Sequence, residues 1–442
     1  MARLTGVAEP DALEIESLDH EGRGVGRRDG KVVFVEGALP RERVRYTVTR
    51  RKASYESAHV VEVMRSSIAR VTPRCAHFGV CGGCSLQHLD FASQVAVKQR
   101  TLEDNLRHIG NVRAEELLSP IAGPAWGYRM RARFSVRYVT KKGGTLVGFH
   151  ERSSSYVADM RSCEVVPPRV SRWLPLLRTL IDGLSIRRRL PQIELAIGDT
   201  ADVMVFRILE ALSADDARAL RDFSDLNGVQ IFLQTAGPET AKLFHPPDAV
   251  PLAYRLPDFD VELRFSPTEF TQVNSAVNRV LVRRALRLLE PQAGERIADF
   301  FCGLGNFSLP IARSGASVVG YEGAKSLVAR ATDNAARNGL AGRATFVATD
   351  LFKVDEPIVA GWGPFDRMLI DPPRDGAMAL VKALPAAWPR RIVYVSCSPS
   401  TLARDAGLLV HTKGFRLRAA GIANMFPHTS HVESIACFDR DG

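Results

Sequence analysis

The sequence predicts a multidomain α/β protein with a small β-barrel over residues 1–65, a central α+β domain over 66–265 and a doubly wound domain over 266–442. Three observations predict it. Short strand-like runs broken by glycine fill the first segment, scattered cysteines and irregular strand patterns mark the second, and strand and helix patterns alternate regularly through the third. A chain of 442 residues exceeds a single domain of roughly 100–200 residues. With 45% hydrophobic and 24% charged residues it has the composition of a globular protein, which excludes a disordered tail or a collagen-like fibre. No apolar stretch approaches the roughly 18 residues of a membrane span. The opening Met1-Ala2-Arg3-Leu4-Thr5 runs into acidic residues without a signal-peptide core, so a cytoplasmic, monomeric protein away from membranes is expected.

The first elements are strands at Leu13–Ser17, Lys31–Glu36, Val44–Arg50 and His59–Met64. Arg28-Asp29-Gly30-Lys31 reads as a two-residue hairpin turn, because Asp-Gly accepts the positive φ angles it requires. With Gly22-Arg23-Gly24-Val25-Gly26 ahead of that turn and a basic Arg50-Arg51-Lys52, the segment resembles the TRAM domain, an OB-like RNA-binding module. A helix is predicted from Phe91 to about Ile109. Arg129, Arg131, Arg133, Ser135 and Arg137 then alternate with Met130, Ala132, Phe134, Val136 and Tyr138, the period of a strand with one basic face. Together with 59 basic against 49 acidic residues, a net charge of +10, that face points to a polyanion as partner.

From Ser266 the pattern is a helix, strand Arg296–Phe301, a glycine turn, a helix, strand Ser317–Tyr321, helix Lys325–Asn338, and strands Thr345–Ala348, Arg367–Ile370 and Arg391–Ser396: a Rossmann-like order. Cys302-Gly303-Leu304-Gly305-Asn306-Phe307 follows the first strand, where glycines let the backbone turn tightly against a ligand. Glu322 ends the next strand, placed to accept hydrogen bonds from ribose hydroxyls. Ser308 stands where a dinucleotide site expects its third glycine, so a cofactor without a pyrophosphate fits better, S-adenosylmethionine foremost. Asp350 would face the adenine side. Two further strand ends carry Asp371-Pro372-Pro373-Arg374 and Ser396-Cys397-Ser398-Pro399. An Asp-Pro-Pro loop suits a planar base, and a thiol beside it suits methylation of a pyrimidine carbon. C5 of uracil becomes nucleophilic only after thiolate addition at C6, and a base such as Glu433 must then remove the C5 proton.

Ser266-Pro267 with Phe270, Gln272, Val273 and Asn274, then the motifs at 301–307, 371–374, 396–399 and His431-Val432-Glu433, resemble in content and order those of RNA uracil-C5 methyltransferases. The resemblance spans nearly the whole chain. With the barrel and four cysteines it is nearest to the iron–sulfur 23S rRNA enzymes of that family, which implies 23S rRNA as partner. It implies Cys397 as nucleophile, Glu433 as base, and Gln272, Phe301, Asn306, Glu322, Asp350 and Asp371 as contacts to cofactor or base. Thr271, where relatives often carry an aromatic residue, departs from the pattern.

Cys75, Cys81, Cys84 and Cys163 form a set whose Cys81-Gly82-Gly83-Cys84 turn brings two thiolates together, compatible with iron–sulfur or zinc ligation. The resemblance decides for a [4Fe–4S] cluster, in a structural or RNA-positioning role. Cys302 and Cys437 are expected to be packing residues. Cytosine-C5 methylation is disfavoured because Arg374, not cysteine, follows Asp371-Pro372-Pro373. A non-catalytic RNA-binding ribosome-assembly factor is disfavoured by the intact Cys397 and Glu433. Uracil methylation in tRNA, or at another rRNA site, is the remaining alternative; the resemblance implies that the tRNA enzymes lack both the barrel and the cluster.

Overall fold

The computed structural model describes residues 12–440, so the opening Met1–Thr5 and the first eleven residues of the expected barrel segment lie outside the described residues. The N-terminal strands form one sheet in the order Ala12–Glu14, Arg43–Arg51, Tyr55–Arg65, Lys31–Glu36, Gly24–Arg28, Ser17–Leu18. It curls around Leu13, Ile15, Val33, Val35, Val44, Tyr46 and Ala58. Asp29 and Gly30 both have positive φ, 49° and 78°, and Arg28 pairs with Lys31, which is the expected hairpin. The glycines before it are themselves a strand rather than a lead-in. A Cβ on Gly24 would stand 2.9 Å from the Ala38 and Ile15 side chains, and one on Gly26 2.5 Å from the Glu14 carbonyl oxygen. Glycine there serves close approach of two backbones.

The central sheet runs Lys242–His245, Gln230–Gln234, Asp202–Arg207, Gln192–Ile197, Arg131–Val139, Gly144–Gly148. Helices Pro168–Gly183 and Ala214–Asn227 cover it through Trp173, Leu174, Leu177 and Leu220. Ala132, Phe134 and Val136 are buried and Arg133 and Arg137 exposed, so the alternation is as read. The basic face is partly neutralised, however. Glu194 lies directly across the ladder from Arg133 and pairs with it at 2.8 Å and with Arg131 at 3.7 Å.

The C-terminal sheet has the order Ala344–Ala348, Ser317–Glu322, Arg296–Phe300, Arg367–Ile370, Arg391–Ser396, Glu433–Asp439, Arg416–Ala423, Glu116–Leu117. The first five strands are parallel, the next two antiparallel. Parallel neighbours end at one edge, where side chains from several strands meet. Two pieces from earlier in the chain join this body. Leu102 and Leu106 of helix Phe91–His108 pack into its core, and the two-stranded Ala253–Leu256/Val261–Arg264 ribbon buries Leu256, Val261 and Leu263 against it. Among the described residues no helix is long and apolar enough to cross a membrane.

Replacing Gly26 by alanine should destabilise the barrel by about 1–3 kcal/mol, the cost of overpacking against a backbone oxygen that cannot withdraw. Urea unfolding measures this, and an unchanged midpoint would show that the approach is not tight.

Candidate active site

One cleft of about 710 Å³ opens at the carboxyl edge of the C-terminal sheet. Its lining includes Gln272, Phe301, Asn306, Glu322, Asp350, Asp371, Cys397 and Glu433, every residue expected to act on cofactor or base. Local folding explains how each arrives. Phe301, directly after its strand, has φ 63°, and Gly303 and Gly305 have φ 55° and 99°. A non-glycine residue in that region is unusual and marks a turn held by its surroundings. The Phe301 and Cys302 N–H groups donate to the Tyr321 carbonyl. Glu322 closes the loop from the next strand, accepting from Gly303 N–H at 3.1 Å and Ala324 N–H at 3.0 Å.

The positions of Cys397 and Glu433 follow from strand register. Ser396 pairs with Ser434 in the antiparallel ladder, so the next residues outward on the two chains are Cys397 and Glu433. A one-residue slip would turn both side chains to the opposite faces. The two are adjacent in space although 36 positions apart.

The electrostatics are those of a desolvated acidic cleft. Asp299 is fully buried beneath it; its Oδ2 accepts from Ser308 at 2.5 Å while its Oδ1 has no partner among the described residues. Burial raises the Asp299 carboxyl to about 7, with Asp371 and Glu322 adding repulsion. Burial in the cleft wall likewise lifts Asp371 to about 7, and burial together with Asp371 lifts Glu433 well above the usual carboxylate range. The Cys397 thiol is pushed up to about 11 by burial, then by Glu433 and Asp371, against the opposing pull of the Arg374 guanidinium. Arg374 in turn reaches His431 Nδ1 at 3.1 Å.

Sequence reasoning missed part of this site. Asn306 is clamped: Tyr254 Oη and Asn278 Nδ2 both donate to its Oδ1 at 2.9 Å, and its own amide donates to Asn278 Oδ1 at 3.2 Å. Phe352 faces Phe301 with ring centroids 5.6 Å apart, and Phe426 completes the wall. The buried polar Asn278 on the apolar face of helix Ser275–Leu289 was the available signal. Asp350 is exposed, with its carboxylate on Lys353 at 2.9 Å, so it stands at the mouth of the cleft rather than in its depth. Cys302 and Cys437 are buried packing residues.

Cys75, Cys81, Cys84 and Cys163 line one small pocket some distance along the chain from the cleft, walled by Phe78, Phe149, Met160 and Val165. A Cβ on Gly83 would meet Phe149 at 3.2 Å and Cys81 Sγ at 3.4 Å, so the Gly-Gly turn is what lets the chain fold over its own thiols. Burial raises the Cys84 thiol to about 12 and Cys163 to about 11, each further raised by neighbouring cysteines. Among the described residues no set of three or more His, Cys, Asp or Glu side chains is arranged to hold a metal ion, so the expected metal site is a gathering of four thiols and not a formed coordination shell.

The tRNA (Uracil-5-)-methyltransferase family model matches residues 90–347 and 352–440, and the TRAM domain model matches 12–61. The chain is 60% identical over 428 residues to the 23S rRNA (uracil(1939)-C(5))-methyltransferase RlmD of Nitrosospira multiformis, covering 96% of this chain and 98% of that one. It is 62% identical over 428 residues to the protein of the same name from Aromatoleum aromaticum, covering 97% and 99%. Among solved structures, the Pyrococcus abyssi tRNA (uracil-54, C5)-methyltransferase in complex with S-adenosyl-L-homocysteine superposes with a TM-score of 0.74 and 25% identity, covering 97% of this chain and all of that one. A tRNA enzyme therefore shares the architecture from end to end. This corrects the expectation that a front segment of this kind separates rRNA from tRNA enzymes.

For Asp299 the folded value near 7 lies above the ordinary 3.8, so its contribution to stability is present below about pH 4 and lost as pH rises through 7. Asp299→Asn should therefore lose less Tm than the wild type between pH 5 and pH 8. Equal losses in calorimetry would mean that Asp299 is ionised throughout.

Proposed function

Because this chain belongs to the tRNA (Uracil-5-)-methyltransferase family, we propose that it methylates C5 of a uridine in 23S rRNA with S-adenosylmethionine, through a covalent adduct on Cys397. The carrying observation is a single cleft that holds a thiol and a carboxyl, adjacent by strand register, beside a glycine loop and an acid at a strand end. The residues present fit the donor. Glu322 is placed for ribose hydroxyls, Phe301 and Phe352 offer flat apolar surface, and Asn306 is held at the loop by Tyr254 and Asn278. The raised acids Asp371 and Glu433 favour a cationic guest, since a positive charge offsets their mutual repulsion. S-adenosylmethionine supplies an electrophilic methyl group on a sulfonium.

The chain's own groups do the rest. Cys397, as thiolate, forms a bond to C6 of the flipped uracil, and the displaced π electrons pass to O4. Arg374 supports the negative charge at the sulfur. C5 then takes the methyl, leaving a neutral thioether. Glu433 removes the C5 proton, the electrons return through the enolate, and the S–C6 bond breaks to restore the thiolate. Gln272 and Asp371 line the wall where the base must lie and can read its edge by hydrogen bonding. The barrel and the Arg133–Arg137 face provide phosphate contacts.

For the four-thiol pocket we propose a [4Fe–4S] cluster, whose binding would draw the gathered thiols into a coordination shell. Burial and neighbouring cysteines hold the Cys84 and Cys163 thiols protonated, and the positive charge of bound iron would let them ionise. Cys75, Cys81, Cys84 and Cys163 would hold it as a structural core for the central domain. A second substrate reading, a tRNA uridine, is favoured by the end-to-end match to the Pyrococcus abyssi enzyme.

Cys397→Ala should bind donor and RNA yet give no adduct and no product. Glu433→Gln should transfer methyl once and then stall, losing on the order of 10²–10⁴ in turnover while a denaturant-resistant protein–RNA complex accumulates. Rate loss without a trapped complex would make Glu433 a structural residue. Mapping 5-methyluridine in rRNA and tRNA from a deletion strain decides the substrate. Anaerobically purified protein should carry about four irons per chain, whereas stoichiometric zinc would overturn the cluster.

A further inference from the structure

Given the reading of Glu433 as the C5 base, on which this rests, we infer that Gln94 and Lys98 are positioning residues for the reaction. From helix Phe91–His108 they hold loop 424–431, and through it the cleft-facing Phe426, His431 and Glu433, in the geometry that proton abstraction needs. Gln94 and Lys98 stand one turn apart on the same helix face, and each is 1% exposed.

Lys98 is buried with no carboxylate partner among the described residues, an arrangement that costs heavily in desolvation. Its Nζ spends its hydrogen bonds on the loop alone, donating to Asn424 Oδ1 at 2.7 Å and the Phe426 carbonyl at 2.8 Å. Gln94 grips the next turn of the loop. Its Oε1 accepts from the His428 N–H at 2.8 Å, while its Nε2 donates to the Leu89 and Leu86 carbonyls at 2.7 and 3.1 Å and lies 3.2 Å from His428 Nδ1. His428 needs such a grip, because its φ is 66°. Its ring stacks on Trp126 at 3.7 Å with Nε2 2.9 Å from the Ala125 carbonyl. A carbonyl can only accept, so Nε2 carries the proton and donates to Ala125, which leaves Nδ1 as an acceptor on the Gln94 side. Ser85 and Leu86, directly after Cys84, both donate N–H to the His428 carbonyl at 2.9 Å.

Strand pairing fixes Ala423 and Glu433 at the two ends of this hairpin but not the residues between. Those residues wall the cleft beside Cys397. Asn424 Oδ1, the Phe426 carbonyl and the His428 N–H are thus each held by a buried side chain of the helix, which restricts the loop and, at its end, Glu433.

The test uses the full chain, S-adenosylmethionine and a 23S rRNA fragment that the wild type methylates, with wild type, Glu433→Gln, Lys98→Met and Gln94→Leu side by side. Lys98→Met keeps the length of the stem and removes both hydrogen bonds. Turnover should fall about 10- to 100-fold, as a displaced catalytic group implies. Donor affinity should be unchanged, and a denaturant-resistant protein–RNA complex should accumulate as in Glu433→Gln. Gln94→Leu should repeat the pattern, which covers the case in which Lys98→Met does not fold. Wild-type turnover in both variants, or joint loss of donor binding and complex formation in both, overturns the inference. If Glu433→Gln itself traps no complex, the assignment of Glu433 has failed and the positioning role falls with it.

Discussion

The antiparallel register between Arg391–Ser396 and Glu433–Asp439 is the constraint on which the site depends. Pairing Ser396 with Ser434 leaves Cys397 and Glu433 as outward neighbours at the edge of the sheet. The same edge receives Phe301, Glu322 and Asp371 from parallel strands, because parallel strands end together. The proposed nucleophile and base are thus set by backbone hydrogen bonds, the least adjustable part of the fold. The side chains lining the cleft tune charge, while Gln94 and Lys98 hold the loop that leads into Glu433.

That tuning is costly. Asp299, Asp371 and Glu433 are all lifted by burial, and Cys397 is held as a thiol by burial and then by Glu433 and Asp371. Groups with raised values are disfavoured as anions until a positive charge arrives. In such a site the thiol stays protonated in the absence of a positive charge, and perturbed groups of this kind gather at functional sites. The loop completing the cleft is fastened from outside the C-terminal sheet, by Gln94 and Lys98, which lie between Cys84 and Cys163 in sequence.

Much of this was legible in the sequence. The glycine turn after Arg296–Phe300 and the acid ending the next strand read directly, because turn chemistry and strand period are local properties. Glu433 by itself gave no such signal. Its strand, Ser434-Ile435-Ala436-Cys437-Phe438, is a continuous apolar run without alternation, as a strand buried on both faces must be. The preceding Arg416–Ala423 strand was hidden too, because its alternation at Arg416-Leu417-Arg418-Ala419 is short and gives way to a wholly buried end. Gly24 and Gly26 look like turn residues, and only the distance to Ala38 and Glu14 shows that they keep two strands close. The joining of helix Phe91–His108 to the C-terminal core is a long-range contact that periodicity does not encode. Asn278 and Tyr254, which hold Asn306, act through another residue and carry no motif.

The measurement that bears most directly on the register-set pairing is the pH dependence of alkylation at Cys397, read on its own peptide by mass spectrometry, in wild type and Glu433→Gln. Glu433 raises the thiol by repulsion in the alkaline range where the thiol titrates. Removing that charge should shift the alkylation curve to lower pH. Superimposable curves would show that the two groups do not face each other across the ladder.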